Sequence, residues 1–449
     1  MKGGIMDPIT QELTSLILKT DVTRRPDLAE AGRRAFADYL ASALAGSREE
    51  AVRRTAAFLA TRKGERDILG FDVRTTPENA AFFNGFASHY LDFDDAEANL
   101  MGHFSTVIFS ALLAIADPSD TFEDFLAGYT AGAETEGLLG KLVNPAHKKR
   151  GYHPTATIGP IGAAAAIARF RRLPLKEASE LLSLGATESA GLGLEAGTDT
   201  KPLHSGFAAR NAVFSYFLIR DCALTSSTSA FNNDDGWAAV TAGKTIAEGA
   251  LSKRWLSPGE LISPGLWMKK HQYCSAAIPG AAALKSLWKK GVTLDVISKV
   301  IFHFPPGKSY SLHYHAPKTG QQGRFSMEYV AWQILTKGDV DDDLFRLAKT
   351  PAAFIRALPK FGIKEDLPPA GQEVRRIIVT ADTKDGRHFT EEILKPDGSP
   401  DHPFTKGDLT KKLAAASDEA YAEEMITLLS GRPSMKELLS LLSEAPRHV

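Results

Sequence analysis

The sequence predicts a mainly α protein with a large all-helical part and a smaller α/β part placed before the C-terminal helices. Three observations carry that reading. Apolar residues recur every three to four positions from Asp7 to about Gly265, β-type alternation enters only after about Pro264, and helical spacing returns from Asp408 onward. The expected boundaries are 1–265 for the first helical part, 266–403 for the α/β part and 404–449 for the helical remainder.

Ile9 to Leu18 and Leu28 to Leu44 carry the first helical stripes, and the A-S-A-L-A turns allow close helix contact. Asp120 or Thr121 caps a helix that runs through Tyr129 and Glu136 towards Leu142. Gly159 to Phe170, G-P-I-G-A-A-A-A-I-A-R-F, is a helix small enough on every side to lie deep in a bundle. Leu175 to Leu184 and Phe207 to Leu224 continue the pattern. In the later part, Val296 to Phe304 reads as a strand and Phe325 to Leu335 as an amphipathic helix, with a further short helix at Asp343 to Leu347. Val374 to Thr380 and His388 to Leu394 flank Lys384-Asp385-Gly386, a hairpin signal because Asp-Gly tolerates positive φ. Asp408 to Leu413, Ser417 to Leu429 and Met435 to Leu442 close the chain as helices. No period of 20 to 50 residues repeats, which excludes a solenoid.

The 449 residues suffice for two domains or more. With 53 Lys plus Arg against 54 Asp plus Glu, the net charge of −1 argues against a nucleic-acid partner. The longest apolar run, Thr106 to Ala116, is too short to cross a bilayer, and M-K-G-G-I-M-D-P-I lacks the apolar core of a secretory signal. A cytoplasmic protein with no membrane partner is expected. Cys222 and Cys274 are too few for a four-cysteine iron–sulfur cluster, and a cytosolic pair is rarely a disulfide.

Three segments concentrate chemistry. In Asn84 to His103, Phe83, Phe86, Tyr90 and Phe93 mark one helical side, while Gly85, His89 and Asp92 fall on a second line, so a histidine and a carboxylate are expected to share a face. Asp92, Asp94 and Asp95 crowd three carboxylates into four residues, a costly arrangement unless a cation or a held proton relieves it. Composition alone favours a solvated helix end for such a cluster. His103 stands just before the apolar run that follows. The second segment is G-Y-H-P-T-A-T, where Pro154 keeps His153 extended at the mouth of a helix and Thr155 supplies a hydroxyl. The third is G-T-D-T-K-P-L-H, with Thr200, Lys201 and His204 at another helix start. Together they describe a pocket for a ligand with several carboxylates, in which one carboxylate or imidazole takes a proton. No H-E-x-x-H, close Cys/His pair or phosphate loop is present, so neither a metal nor a nucleotide is expected.

These three segments, in this order, resemble the successive signatures of the MmgE/PrpD family, which includes 2-methylcitrate dehydratase, cis-aconitate decarboxylase and iminodisuccinate epimerase. A-F-A-D-Y-L-A-S-A-L-A-G and R-F-S-M-E-Y-V-A extend the similarity over nearly the whole chain. The resemblance implies a helical domain completed by the chain's end, a smaller α/β lid inserted before it, a homodimer, and a cleft between the parts that works without metal or organic cofactor. Its members act next to a carboxylate, losing water, losing carbon dioxide or inverting a stereocentre. Asp92, His103, His153 and Lys201 match the family's active-site residues, with His204, Thr155 and Thr200 beside them. Two positions depart from the pattern: Ala96 stands where Thr is usual, and Ile278 replaces the lid histidine, for which nearby His271 is the expected substitute. The resemblance implies a dehydratase-type lyase for a small di- or tricarboxylic acid such as 2-methylcitrate. An epimerase, a cis-aconitate-type decarboxylase or a carboxylate binder without turnover are the alternatives.

Overall fold

The computed structural model describes residues 6–447. Its contacts divide the chain into two compact units, one formed by the chain up to Leu194, Thr200–Leu266 and the chain from Thr405 on, the other by Glu195–Asp199 and Trp267–Phe404.

The first unit is built almost wholly of helices. Helix α1 (Pro8–Leu18) starts at Asp7, whose Oδ1 accepts from the N–H groups of Ile9 and Thr10 at 2.9 and 3.0 Å. Pro8 takes the first helical position, where a missing N–H costs nothing. Then come α2 (Pro26–Ser47), α3 (Glu50–Ala60), α4 (Pro77–His89), α5 (Ser105–Ile115), α6 (Phe122–Val143), the single turns α7 (Ala146–Lys149) and α8 (Pro154–Thr157), α9 (Gly159–Phe170), α10 (Leu175–Thr187) and α11 (Thr200–Cys222). Thr121 caps α6 by accepting from the Asp124 N–H. All twelve residues of α9 are buried, as its alanine run predicts. It lies against α6 where Gly132 faces the Gly162 carbonyl.

Two segments depart from the expected pattern. Lys63–Asp67 and Arg74–Thr75 pair as an antiparallel surface hairpin, although K-G-E-R-D has none of the β-branched residues that signal a strand. From Ala223 to Glu260 the chain is mainly irregular, with only α12 (Trp237–Ala242) helical. The Ser/Asn/Asp-rich stretch there satisfies its own backbone: Asn232 Oδ1 accepts from the N–H groups of Asp234, Asp235 and Gly236.

Helix α4 is gripped from two sides through glycines. A Cβ on Gly46 of α2 would lie 1.9 Å from the Ala87 carbonyl oxygen, and one on Gly206 of α11 would lie 2.5 Å from that of Phe82. Gly85 meets Gly206 at the same crossing. Beside it, Ser88, Thr106 and Ser205 join their hydroxyls at 2.6 and 2.8 Å. The chain's last helices, Lys406–Ala416, Glu419–Ser430 and Met435–Ser443, complete this unit, the first and third opened by capping boxes at Thr405 and Ser434. Lys412 donates to Asp38 Oδ1 at 2.6 Å and to the Phe93 carbonyl at 2.8 Å, tying the first of them to α2 and to the turn after α4.

In the second unit, a four-stranded sheet runs in the order Phe361–Lys364, Ile297–His303, Ile378–Thr383, His388–Glu392, with the first pair parallel and the others antiparallel. Helices α13 (Ile278–Lys289) and Met327–Lys337 share its apolar core. Gly386 turns the hairpin with φ +87°. That turn sets the register, and the third strand therefore reaches Thr383, later than the 374–380 expected. Asp342–Arg346 is a 3-10 turn rather than an α-helix. Among the described residues no helix is long and apolar enough to cross a membrane.

Gly206→Ala is expected to destabilise the protein by about 1–3 kcal/mol, because the added methyl meets backbone that cannot move cheaply. A lowered urea midpoint checks this, and unchanged stability would mean the crossing can open. Glu136 gives a pH test. Neither of its carboxyl oxygens has a hydrogen-bond partner among the described residues, and burial, then Asp95 and Glu97, raises its pKa well above the usual range. A folded-state pKa above the unfolded one means the native state holds the extra proton, so that part of the stability is lost as pH rises beyond the unfolded value. Glu136→Gln should lose less stability than the wild type between pH 5 and pH 8, and parallel losses would contradict a protonated Glu136.

Candidate active site

Helical geometry stops at His89, the last residue of α4. Asp92 turns the chain with φ +52°, a left-handed conformation uncommon outside glycine, and Met101 does the same at +57°. Asp92 therefore does not continue the helical line through Gly85 and His89. The turn folds its carboxylates inward instead: Asp92 is 3% exposed and Asp94 and Asp95 are fully buried. The expected solvated helix end is overturned, because each carboxylate has found a partner. Asp95 accepts from the Ser105 hydroxyl, which also meets Tyr129 at 2.8 Å.

Asp94 lies against two imidazoles. Its Oδ2 is 2.9 Å from His89 Nδ1 and 3.1 Å from His103 Nδ1. Burial alone would raise the Asp94 pKa, but His103 and His89, facing it at hydrogen-bond distance, outweigh it and hold the group well below the usual range. Lys201, the second residue of α11, brings its Nζ to 2.8 Å from His89 Nε2 and 2.6 Å from Asp92 Oδ1. Asp92 Oδ1 is also 3.7 Å from His103 Nε2. The five side chains close a ring: Asp94, His89, Lys201, Asp92, His103 and back to Asp94.

Hydrogen-bond chemistry fixes both tautomers. The Asp95 carbonyl, 2.6 Å from His103 Nδ1, can only accept, so that nitrogen carries hydrogen, and in the neutral form of the ring Nε2 is the nitrogen that holds the lone pair. An ammonium can only donate, so His89 receives Lys201 on a bare Nε2 and presents Nδ1–H to Asp94. Burial, opposed by Asp94 and reinforced by Lys201 and His103, lowers the His89 pKa to about 3, which keeps the ring neutral.

His153 adjoins this ring, its imidazole stacked on that of His89 with centroids 6.1 Å apart. It is extended as its Pro154 neighbour requires, with φ −94° and ψ 108°. Its Nδ1 is 3.0 Å from His204 Nδ1, so one nitrogen donates and the other accepts. Burial first, then Lys201, hold the His153 pKa well below the usual histidine value. His153 is thus held as a neutral ring. Thr155 is fully buried and its Oγ1 accepts from the His103 N–H at 3.2 Å. Thr200 is exposed at the start of α11. His271 belongs to the second unit, where its ring nitrogens face Asp339 at 3.0 Å and Asp342 at 3.3 Å. Burial would lower its pKa, but those carboxylates reverse the shift and raise it. Ile278 is buried in that unit's apolar core.

Sequence reasoning passed over His89 and Asp94 as site residues, although their separation of five positions across a helix end was a readable signal. Among the described residues, His89, Asp92, Asp94 and His103 also form a group whose ligand atoms all lie within 4.8 Å, close enough to hold a metal ion that no sequence motif announced. The Lys201 ammonium already sits on two of those donors, and an ion on either would meet it at hydrogen-bond distance.

This helical unit buries imidazole, carboxylate and ammonium groups against one another, the kind of clustering in which proton affinities are shifted. The chain belongs to the MmgE/PrpD family, whose N-terminal domain matches residues 11–249. All five residues of the ring lie inside that match. Cis-aconitate decarboxylase from Homo sapiens is 25% identical over 376 residues, covering 80% of this chain and 76% of its own, and the Mus musculus protein of the same name is 25% identical over 372 residues, covering 80% and 75%. The cis-aconitate decarboxylase-like protein oryM of Aspergillus oryzae is 25% identical over 228 residues, covering 47% of each chain.

The neutrality of His153 is open to measurement. Its ring carbon and nitrogen resonances in NMR should show no titration between pH 6 and pH 8. A midpoint near 6.5 would mean that burial and Lys201 do not dominate its surroundings.

Proposed function

We propose that this chain is a lyase acting on a small di- or tricarboxylic acid, by moving a proton at a carbon next to a carboxylate. The observation that carries this reading is the ring in which the Lys201 ammonium stands beside a His103 whose Nε2 is the proton-accepting nitrogen. In a dehydration, His103 Nε2 takes the proton from that carbon and the electron pair spreads into the neighbouring carboxylate, whose added charge Lys201 offsets. The pair then forms the carbon–carbon double bond as the carbon–oxygen bond breaks. The proton on His103 passes to the departing hydroxyl, which leaves as water. His153 would bind a substrate carboxylate as a neutral donor with His204 beside it, and Lys201 would be the cation.

A second reading is a decarboxylase of the cis-aconitate type, favoured by the names of relatives matched over 80% of this chain. There a carbon–carbon bond to a carboxylate breaks and releases carbon dioxide. The electron pair passes into the conjugated system, and His103, which for this reaction starts as an imidazolium with a proton taken from solvent on Nε2, donates that proton to carbon. Both readings use the same cation and the same proton carrier.

Incubation with 2-methylcitrate, citrate and cis-aconitate separates them: an unsaturated product with water lost marks dehydration, and released carbon dioxide marks decarboxylation. Removing Lys201 alone would strand the Asp92 carboxylate in the interior, so Lys201→Met combined with Asp92→Asn is the variant suited to keep the unit folded. Turnover is expected to fall by about 10²-fold or more with the thermal midpoint retained. Near-wild-type turnover in a folded protein would overturn the proposal.

A further inference from the structure

We propose that His89 and Asp94 are positioning residues: Asp94 fixes the orientation of two imidazoles at once, and His89 uses that orientation to hold the Lys201 ammonium in place. The inference rests on the reading of Lys201 as the cation that meets the substrate.

Asp94 is fully buried, and its Oδ2 lies within hydrogen-bond distance of Nδ1 on both His89 and His103. A carboxylate offers only acceptors, so His89 turns Nδ1–H towards it, while the Nδ1–H of His103 lies between Asp94 and the Asp95 carbonyl, and both rings point Nε2 the other way. For His103 that direction leads to Asp92, and for His89 it leads to Lys201 Nζ. Asp94 therefore acts on both histidines at once, together with the Asp95 carbonyl on His103 and with Lys201 on His89, in determining which nitrogen each presents. An amide at position 94 would place an N–H before at least one of these rings, favour the opposite tautomer and remove the lone pair the ring needs.

His89 solves a separate problem. A lysine has a flexible four-carbon stem, and a buried ammonium beside Asp92 alone would close onto that carboxylate and have its charge cancelled. An uncharged acceptor on the other side holds the nitrogen without neutralising it. His89 provides this because its backbone is fixed at the end of α4, whose crossing with α11 is set by Gly85 and Gly206. The ammonium is thus suspended between a neutral and a charged acceptor, at 2.8 and 2.6 Å. A second carboxylate on the ammonium, in the place of His89, would cancel the charge the reaction uses.

The experiment compares His89→Gln, whose side-chain oxygen can stand near the position of Nε2, with His89→Leu, which offers no acceptor, and with Asp94→Asn, all in the full chain. Steady-state kinetics use whichever carboxylic acid the wild type converts. His89→Leu is expected to lower kcat about 10²-fold with a smaller change in KM, and His89→Gln to recover most of that loss. Asp94→Asn should fall about 10²- to 10⁴-fold, as when a histidine tautomer is inverted. A crystal structure of His89→Leu should show Lys201 Nζ moved by more than about 1 Å, a displacement large enough to matter for catalysis. If Gln and Leu are equally impaired, or Lys201 stays in place in the Leu variant, the proposal fails. If the wild type converts none of the acids, the reading of the reaction fails instead, while the position of Lys201 still decides the positioning role.

Discussion

The Lys201–Asp92 ion pair, buried in the helical unit, is the interaction on which the candidate site depends. A charge removed from water must be matched by a partner at close range, and here few groups are available to do it. Lys201 answers Asp92, the two histidines answer Asp94, and Ser105 takes one oxygen of Asp95. The other Asp95 oxygen has no hydrogen-bond partner among the described residues, and burial, aided by Asp38, raises its pKa. Glu136, on α6, is in the same condition. Charge is kept where partners exist and is discharged by protonation where they do not.

That electrostatic economy imposes demands on the backbone. Lys201 can reach His89 only because α4 and α11 approach at Gly85 and Gly206, closer than any side chain would permit. The carboxylates turn inward only because Asp92 accepts a left-handed conformation, and the Phe93 carbonyl beside it is secured by Lys412 from the far end of the chain. Strain at Asp92 is then a cost offset by the ion pair its side chain makes. The second unit follows the same physics in a different setting: His271 is buried, and Asp339 and Asp342 keep its charged form favourable.

Much of the secondary structure was legible because helix periodicity and capping are local. Asp7, Thr121, Thr405 and Ser434 cap the helices they precede, and the alanine run of α9 is buried along its whole length. The errors have local causes too. The charged hairpin at Lys63–Thr75 lacks strand-forming residues, and the irregular stretch after Cys222 contains apolar residues whose spacing imitates a helix while Asn232 organises a loop. At the site, Asp92, His103, His153 and Lys201 were readable as residue types beside helix starts. The five-position spacing of His89 and Asp94 was readable as well, but not that their facing atoms join Lys201 and His103.

By itself the sequence determined a mainly helical chain and three segments rich in proton-bearing groups, because periodicity, caps and proline restrictions act over a few residues. The tertiary structure alone decided that an aspartate cluster resembling a solvated helix end is buried. It also decided that His153 is neutral, and which nitrogen of His89 and of His103 carries hydrogen. Those properties depend on burial and on which atoms face which, with partners as near as Asp94 for His89 and the Asp95 carbonyl for His103, 5 and 8 positions away, and as far as Lys201 for His89 and Asp92, 112 and 109 positions away. No local pattern encodes a dielectric or a distance of that kind; only the packed fold supplies them.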